Sequence, residues 1–377
     1  MICFFAMKVG IDTFGCDNGR SGRGSYLVSL INAIPDDSQL TWELFGPEID
    51  RYTYTVEKAL PFSSVHLPDS LNMERLWHIW SCNAFAKKRA YDVVLYAAGP
   101  QLLPVSYKRP GIVIVNDILS LFLKNEDSSL YRKLVVKSLE KADCIIAGSD
   151  YIRQDIEQCK IKLRRLEVVY SGIDHAIFTP LGKSENSIVD IKPFAIKKPY
   201  LIYPSRMQGK TKRHVELIKA FSLFKEQTHL PHRLVIAGSE GKYSETVRNA
   251  ALTSAFASDI FLTGYFPHEN FGDLYRNADA CIFPSVSEGV GLPVMEAMAC
   301  GLPVACSSSA ALPEIAGDGA VYFDSDNIED MASCIGRIVQ DTGLRETLMH
   351  NGLNKAKTYS WEKTAERTLE IIKSVCA

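Results

Sequence analysis

The sequence predicts an α/β protein built from two doubly wound, parallel-sheet domains, and three observations carry that reading. Strand-like apolar runs alternate with helical patterns along almost the whole chain. The alternation lapses once, in a Pro- and Gly-rich stretch, and then restarts. At 377 residues the chain also exceeds what one hydrophobic core usually organises. Hydrophobic residues at 46% and charged residues at 23% fit a folded globular protein.

Taken in order, Lys8-Val9-Gly10-Ile11-Asp12 reads as a first strand, followed by a Gly-rich loop and a helix over Gly24–Ala33. Strands are expected at Trp42–Phe45, Val93–Tyr96, Ile112–Val115, Cys144–Ala147 and Glu167–Tyr170, with helices over Ser128–Lys141 and, capped by Ser149, over Asp150–Gln158. Between Thr179 and Pro199 the pattern breaks at Pro180, Gly182, Pro193 and Pro199. The expected division is therefore a first domain over 1–180, a linker over 181–199 and a second domain over 200–377. The second domain would alternate from Tyr200–Pro204 to Ala320–Phe323 and close on a Ser360-capped helix, Trp361–Ser374. In such domains ligands bind at the C-terminal ends of the strands, here expected to line a cleft.

Composition narrows the partners. The formal net charge is −2 and the charges are spread evenly between the halves, so nucleic acid is not expected. The ten cysteines lie mostly in apolar contexts such as Ala142-Asp143-Cys144-Ile145-Ile146, without CxxC or HExxH spacing. They predict reduced thiols in a cytoplasmic protein, with no zinc site and no disulfide framework. The opening Met1-Ile2-Cys3-Phe4-Phe5-Ala6 is too short to span a bilayer and lacks a preceding basic region, and either Met1 or Met7 could be the start. Trp77, Trp80 and Phe85 beside Lys87-Lys88-Arg89 fit a core-facing helix with a solvated end, or a peripheral contact with a membrane surface.

The most specific segment runs Pro284-Ser285-Val286-Ser287-Glu288-Gly289-Val290-Gly291-Leu292-Pro293-Val294-Met295-Glu296-Ala297-Met298-Ala299-Cys300-Gly301-Leu302-Pro303-Val304. A strand end, a loop with Gly289 and Gly291, and Pro293 at a helix start form a place where an anionic ligand can approach the backbone. Glu288 precedes the helix and Glu296 is expected in its first turn. Residues alone leave a second reading open, an acidic helix start that satisfies its own dipole. A second segment, Tyr203-Pro204-Ser205-Arg206-Met207-Gln208-Gly209-Lys210-Thr211-Lys212-Arg213-His214, carries cations that could clamp a diphosphate or simply form a solvated basic loop. In the first half, Gly22-Arg23-Gly24-Ser25-Tyr26 follows the first strand. Leu27 stands where a dinucleotide site would want a third glycine, which disfavours hydride chemistry. Asn116 and Asp117 form a polar pair after an apolar strand. Asp324-Ser325-Asp326 matches a metal-binding DxD but reads as a capping turn.

The Glu-x7-Glu spacing of Glu288 and Glu296, with the Gly-x-Gly-Leu-Pro core and the Ala-Met-Ala-Cys-Gly-Leu-Pro-Val tail, resembles the group 1, family 4 retaining glycosyltransferases of GT-B fold. The resemblance extends over nearly the whole chain. It implies two Rossmann-like domains facing a central cleft, and a hexose moved from a nucleotide sugar to a hydroxyl of a glycan or lipid-linked saccharide. The turn Gly22-Arg23-Gly24 and the Glu288 loop are similar to those of bacterial mannosyltransferases of surface polysaccharide synthesis (O-antigen, capsule). GDP-mannose is therefore the first expectation for the donor and a UDP-hexose the second, with no cofactor and no metal.

By that resemblance Glu288 contacts the donor sugar, Glu296 the ribose, and Arg206 and Lys212 the diphosphate. Gly289, Val290, Gly291 and Leu292 line the donor, and Gly22, Arg23 and Gly24 face its phosphates. Many relatives carry His-Asp where this chain has Asn116-Asp117. Asparagine hydrogen-bonds but takes no proton, so general-base chemistry is in question there. A nucleotide-sugar-binding protein without transfer activity and a GT-B-fold epimerase remain as alternatives.

Overall fold

The computed structural model describes residues 6–19, 21–37, 39–182 and 184–377. The choice between Met1 and Met7 turns on residues 1–5, which lie outside the described residues. The chain folds as two compact units, Met1–Gly172 with Trp361–Ala377, and Ile173–Ser360.

The first unit holds a seven-stranded sheet: β1 (Met7–Asp12), β2 (Leu40–Gly46), β3 (Phe62–Ser64), β4 (Val93–Tyr96), β5 (Gly111–Val115), β6 (Cys144–Ala147) and β7 (Leu166–Val168). Its order is β3-β2-β1-β4-β5-β6-β7, and every pairing is parallel. The second unit opens with an antiparallel hairpin, β8 (Ile188–Ile191) and β9 (Phe194–Lys197). It continues into a parallel sheet of β10 (Tyr200–Pro204), β11 (Arg233–Ala237), β12 (Ile260–Gly264), β13 (Ala280–Phe283), β14 (Val304–Ser307) and β15 (Ala320–Phe323), ordered β12-β11-β10-β13-β14-β15.

β4, β5, β6, β10 and β13 are buried along their whole length, which is why they read as unbroken apolar runs rather than as alternation. The helix start at Asp150 lies where its expected Ser149 cap places it, and the helix expected over Ser128–Lys141 starts one residue later because Ser128 is itself the cap. Ser128 accepts from the Tyr131 N–H at 3.2 Å to open Ser129–Lys141, and Ser149 accepts from the Ile152 N–H at 3.2 Å to open Asp150–Gln158.

The division differs from the expected one in two places. Residues 181–199 are not a bare linker, because they carry the β8–β9 hairpin, whose Val189, Ile191 and Ile196 are buried in the second unit. Two four-residue strands among prolines leave too little periodicity to register. The closing helix, Trp361–Cys376, belongs to the first unit. The Trp361 ring meets Tyr26 edge-on at 5.3 Å, Thr364 Oγ1 donates to the Tyr170 carbonyl at 2.8 Å, and Arg367 pairs with Glu167 at 3.0 Å. Periodicity announces that a helix has an apolar face, but not which surface that face covers.

Each parallel sheet reverses its strand order once, between β1 and β4 and between β10 and β13. Loops leaving the C-terminal ends of strands at such a switch point are the ones positioned to hold a ligand. Among the described residues no helix is long and apolar enough to cross a membrane.

Candidate active site

In the second unit the two motif segments leave the two strands at the switch point. The loop after β10 and the loop after β13 are stitched together: the Val286 N–H donates to the Thr211 carbonyl at 3.0 Å. Tyr203 Oη donates to the Lys212 carbonyl at 2.6 Å, fixing that backbone from the strand beneath. Lys212 Nζ then lies 2.5 Å from Glu288 Oε1, on a carboxylate side chain only 14% exposed. The Ala311 N–H holds the Glu288 carbonyl at 3.1 Å. Lys210 is exposed, whereas Arg213 is committed to Glu216 and Asp326, so Lys212 is the loop lysine brought to the motif. Arg206 is exposed on the same loop.

The helix after the loop is Leu292–Ala299. It starts from Gly291 at φ 68°, a left-handed backbone that favours glycine, where a Cβ would also come within 3.1 Å of Leu312 Cδ2. Gly289 and the buried Val290 lead into it. Because Pro293 has no N–H and the Val294 N–H returns to the Gly291 carbonyl at 3.0 Å, the donors this helix start can offer an anion narrow to the residues before Pro293. With the helix beginning at Leu292, Glu296 falls in its second turn, not the expected first. Dipole compensation therefore does not explain it. Its carboxylate is held by tertiary partners: Tyr275 Oη donates to Oε2 at 2.9 Å, and His268 Nε2 lies 3.6 Å from Oε1. The hydrogen bond and charge of the Glu296 carboxylate raise the His268 pKa from its ordinary value.

His214, also at this loop, behaves oppositely. Burial lowers its pKa to about 4, so it is neutral at physiological pH and adds no charge to the cations around it. Ser285 Oγ, at the base of the Glu288 loop, is buried without a hydrogen-bond partner.

The first unit gathers its candidates from three loops after β1, β4 and β5. Gly22-Arg23-Gly24 is not a connecting loop but the first turn of the helix Gly22–Ala33, capped by Ser21, which accepts from the Gly24 N–H at 3.2 Å. The two glycines differ. A Cβ on Gly24 would sit 2.2 Å from the Cys16 carbonyl, so close packing demands glycine there, whereas Gly22 faces open space. Arg23 donates to the Ala98 carbonyl at 3.2 Å and to Gln101 Oε1, and its Nε lies 3.6 Å from Asp117 Oδ2. Beside Asp117, Asn116 Oδ1 is buried and accepts no hydrogen bond. A buried acceptor without a donor is costly unless a ligand supplies one.

The remaining signals resolve structurally. Asp324-Ser325-Asp326 forms a turn before the helix Ile328–Gln340, in which Asp324 Oδ1 accepts from the Asp326 N–H at 2.9 Å and Asn327 is the N-cap. Trp77 and Phe85 pack on the core of the first unit, Arg89 pairs with Glu43, and Trp80 stays outside. Sequence reasoning missed Tyr275, His268 and Gln101. Each is far along the chain from the group it holds, and no local spacing marks them.

Comparison with known proteins decides the family. The family model described as Glycosyl transferases group 1 matches residues 185–355, and that described as Glycosyltransferase Family 4 matches residues 44–177. The chain belongs to the group 1, family 4 glycosyltransferases. The O-antigen chain mannosyltransferase B of Escherichia coli is 28% identical over 250 residues, covering 64% of this chain and 63% of that protein. The D-inositol 3-phosphate glycosyltransferase of Kribbella flavida is 26% identical over 241 residues, 61% of this chain and 56% of that one. The match thus spans less than two thirds of the length of these relatives. Anabaena HepE, solved in complex with UDP and glucose, superposes with a TM-score of 0.75 at 16% identity, covering 98% of this chain and 100% of that chain. The fold of this family member is GT-B, with two Rossmann-like α/β domains.

Proposed function

We propose that this chain transfers a hexose, mannose from GDP-mannose in the first instance, to a hydroxyl of a glycan or lipid-linked saccharide, with retention of the anomeric configuration. A UDP-hexose is the second donor to test. The setting is synthesis of a bacterial surface polysaccharide on the cytoplasmic face of the membrane. The observation that carries the reading is the Lys212–Glu288 pair: a cation and a carboxylate, fixed by backbone bonds from two adjacent strand ends, at the start of a glycine-opened helix. In this reading Arg206 and Lys212 neutralise the departing diphosphate, Glu288 orients the sugar and Glu296 holds the ribose. Gly289, Val290, Gly291 and Leu292 line the donor. The acceptor oxygen bonds the anomeric carbon from the face that the diphosphate leaves, and its proton goes to the departing phosphate. Likeness to the Escherichia coli mannosyltransferase favours mannose over other hexoses.

A panel of nucleotide sugars in a thermal-shift assay tests the donor, since a ligand at about 100 times its Kd stabilises the folded state by about 2.7 kcal/mol. GDP-mannose is expected to give the largest shift, and transfer is expected to persist in EDTA. Loss of transfer in EDTA with recovery in manganese would contradict the metal-free reading. Stabilisation by a donor without any transfer would favour the binding-only alternative.

Asn116 gives a sharper discrimination. Its unpaired Oδ1 predicts that Asn116→Ala leaves the melting temperature unchanged or higher, while transfer loses about 1–3 kcal/mol of transition-state stabilisation. Asn116→His is expected to stay active. A silent wild type beside an active His variant would show that the position needs a base.

A further inference from the structure

We propose, on the reading that Lys212 meets the donor diphosphate, that Arg213 is the residue that positions it, anchored by Asp326 of the turn Asp324-Ser325-Asp326. That turn leaves β15, not a strand at the switch point, and through Arg213 it sets how tightly a nucleoside diphosphate binds. All of these groups lie in the second unit. Arg213 stands between the short turn Lys210–Lys212 and the helix His214–Thr228, and its backbone is left-handed, at φ 54° and ψ 33°. Ala90, Lys160 and His229 adopt a similar φ just after helices, where chains commonly turn this way. Arg213 adopts it at the residue that opens a helix, where an extended backbone is the rule. A side chain is disfavoured in this region and persists where its surroundings hold it.

Two carboxylates hold Arg213. It pairs with Glu216 at 3.3 Å, in the first turn of the helix it opens, and with Asp326 on the β15 turn. Asp326 is fixed in its turn: its N–H donates to Asp324 Oδ1 at 2.9 Å, and the Asp324 N–H donates to Asp330 Oδ2 at 2.8 Å. The loop before Arg213 is held by its carbonyls. The Arg213 N–H donates to that of Lys210 at 3.0 Å, the Val286 N–H to that of Thr211 at 3.0 Å, and Tyr203 Oη to that of Lys212 at 2.6 Å. Arg213 thus ties to β15 a loop otherwise held by β10 and β13, directly beside the lysine whose Nζ lies 2.5 Å from Glu288 Oε1. Without the tie the loop gains conformations that the diphosphate must order again on binding. Glycine at position 213 would relax the backbone yet cut the tie, so stability and affinity should move in opposite directions.

The test is titration calorimetry of the full chain with GDP and UDP, and with guanosine and uridine, beside a melting curve for each variant. Lys212→Ala sets the scale, because loss of its charge-assisted hydrogen bond to phosphate should weaken the diphosphate about 10- to 100-fold. Arg213→Gly is expected to weaken the diphosphate about tenfold, with nucleoside affinity unchanged and the melting temperature the same or higher. Arg213→Lys keeps a cation in reach of Asp326 and should recover part of the affinity despite the same backbone. Asp326→Asn, at a side chain 68% exposed, should give part of the same loss without early melting. Combined with Arg213→Gly it should add nothing further, since both variants cut one tie. Unchanged diphosphate affinity in Arg213→Gly, where Lys212→Ala has lost its own, would overturn the proposal and leave the donor reading standing. Unchanged affinity in Lys212→Ala would remove both. Tighter binding by Asp326→Asn would also overturn the proposal, because Asp326 would then be restraining an arginine that itself meets the phosphates. So would early melting of Arg213→Gly with equal losses for diphosphate and nucleoside, which would make Arg213 a part of the fold alone.

Discussion

Glu288→Gln is expected to lower kcat by about 100-fold, near 2.7 kcal/mol of transition-state stabilisation, while the donor KM changes by no more than a few-fold. Glutamine preserves the shape of the side chain and removes its charge. The carboxylate it replaces is mostly shielded from water and lies 2.5 Å from Lys212 Nζ. Charge in such a place acts strongly on the positive character that develops at the sugar carbon, and only weakly on the neutral ground-state sugar. Initial rates at saturating donor, with the melting curve as a control for folding, decide the matter. A kcat within a few-fold of wild type would remove Glu288 from the chemistry.

The second large effect is expected from Arg206→Ala with Lys212→Ala. Affinity for the nucleoside diphosphate should fall by about 100-fold or more, and affinity for the nucleoside should change little, because charge-assisted hydrogen bonds to phosphate contribute about 1.5–3 kcal/mol each. Lys212 has a further consequence. Removing it leaves Glu288 unpaired near the proposed diphosphate site, so the single Lys212→Ala variant should lose more affinity than Arg206→Ala. Adding Glu288→Gln to Lys212→Ala should then restore part of the loss. Titration calorimetry with nucleoside and diphosphate gives all four corners of that cycle. Equal losses for the two ligands would place these cations away from the phosphates.

Much of this was legible in the sequence, because it is local. Fully buried parallel strands demand continuous apolar runs, so β4, β6 and β10 stand out at their observed bounds. The Ser149 cap announces the helix start at Asp150 because the capping bond reaches only three residues. The loop of Glu288 and the helix after it declare themselves through Gly291 and Pro293, whose backbone preferences act in place. Tertiary structure decided the rest, because those interactions join residues with no local relation. It paired Lys212 with Glu288 and spent Arg213 on Glu216 and Asp326. It moved the closing helix to the first unit through Tyr26, Tyr170 and Glu167, and it gave Glu296 its partner Tyr275, 21 residues away. Spacing along the chain records what a residue can do locally, whereas the partner that holds its charge is set by which strand ends the sheet order makes neighbours.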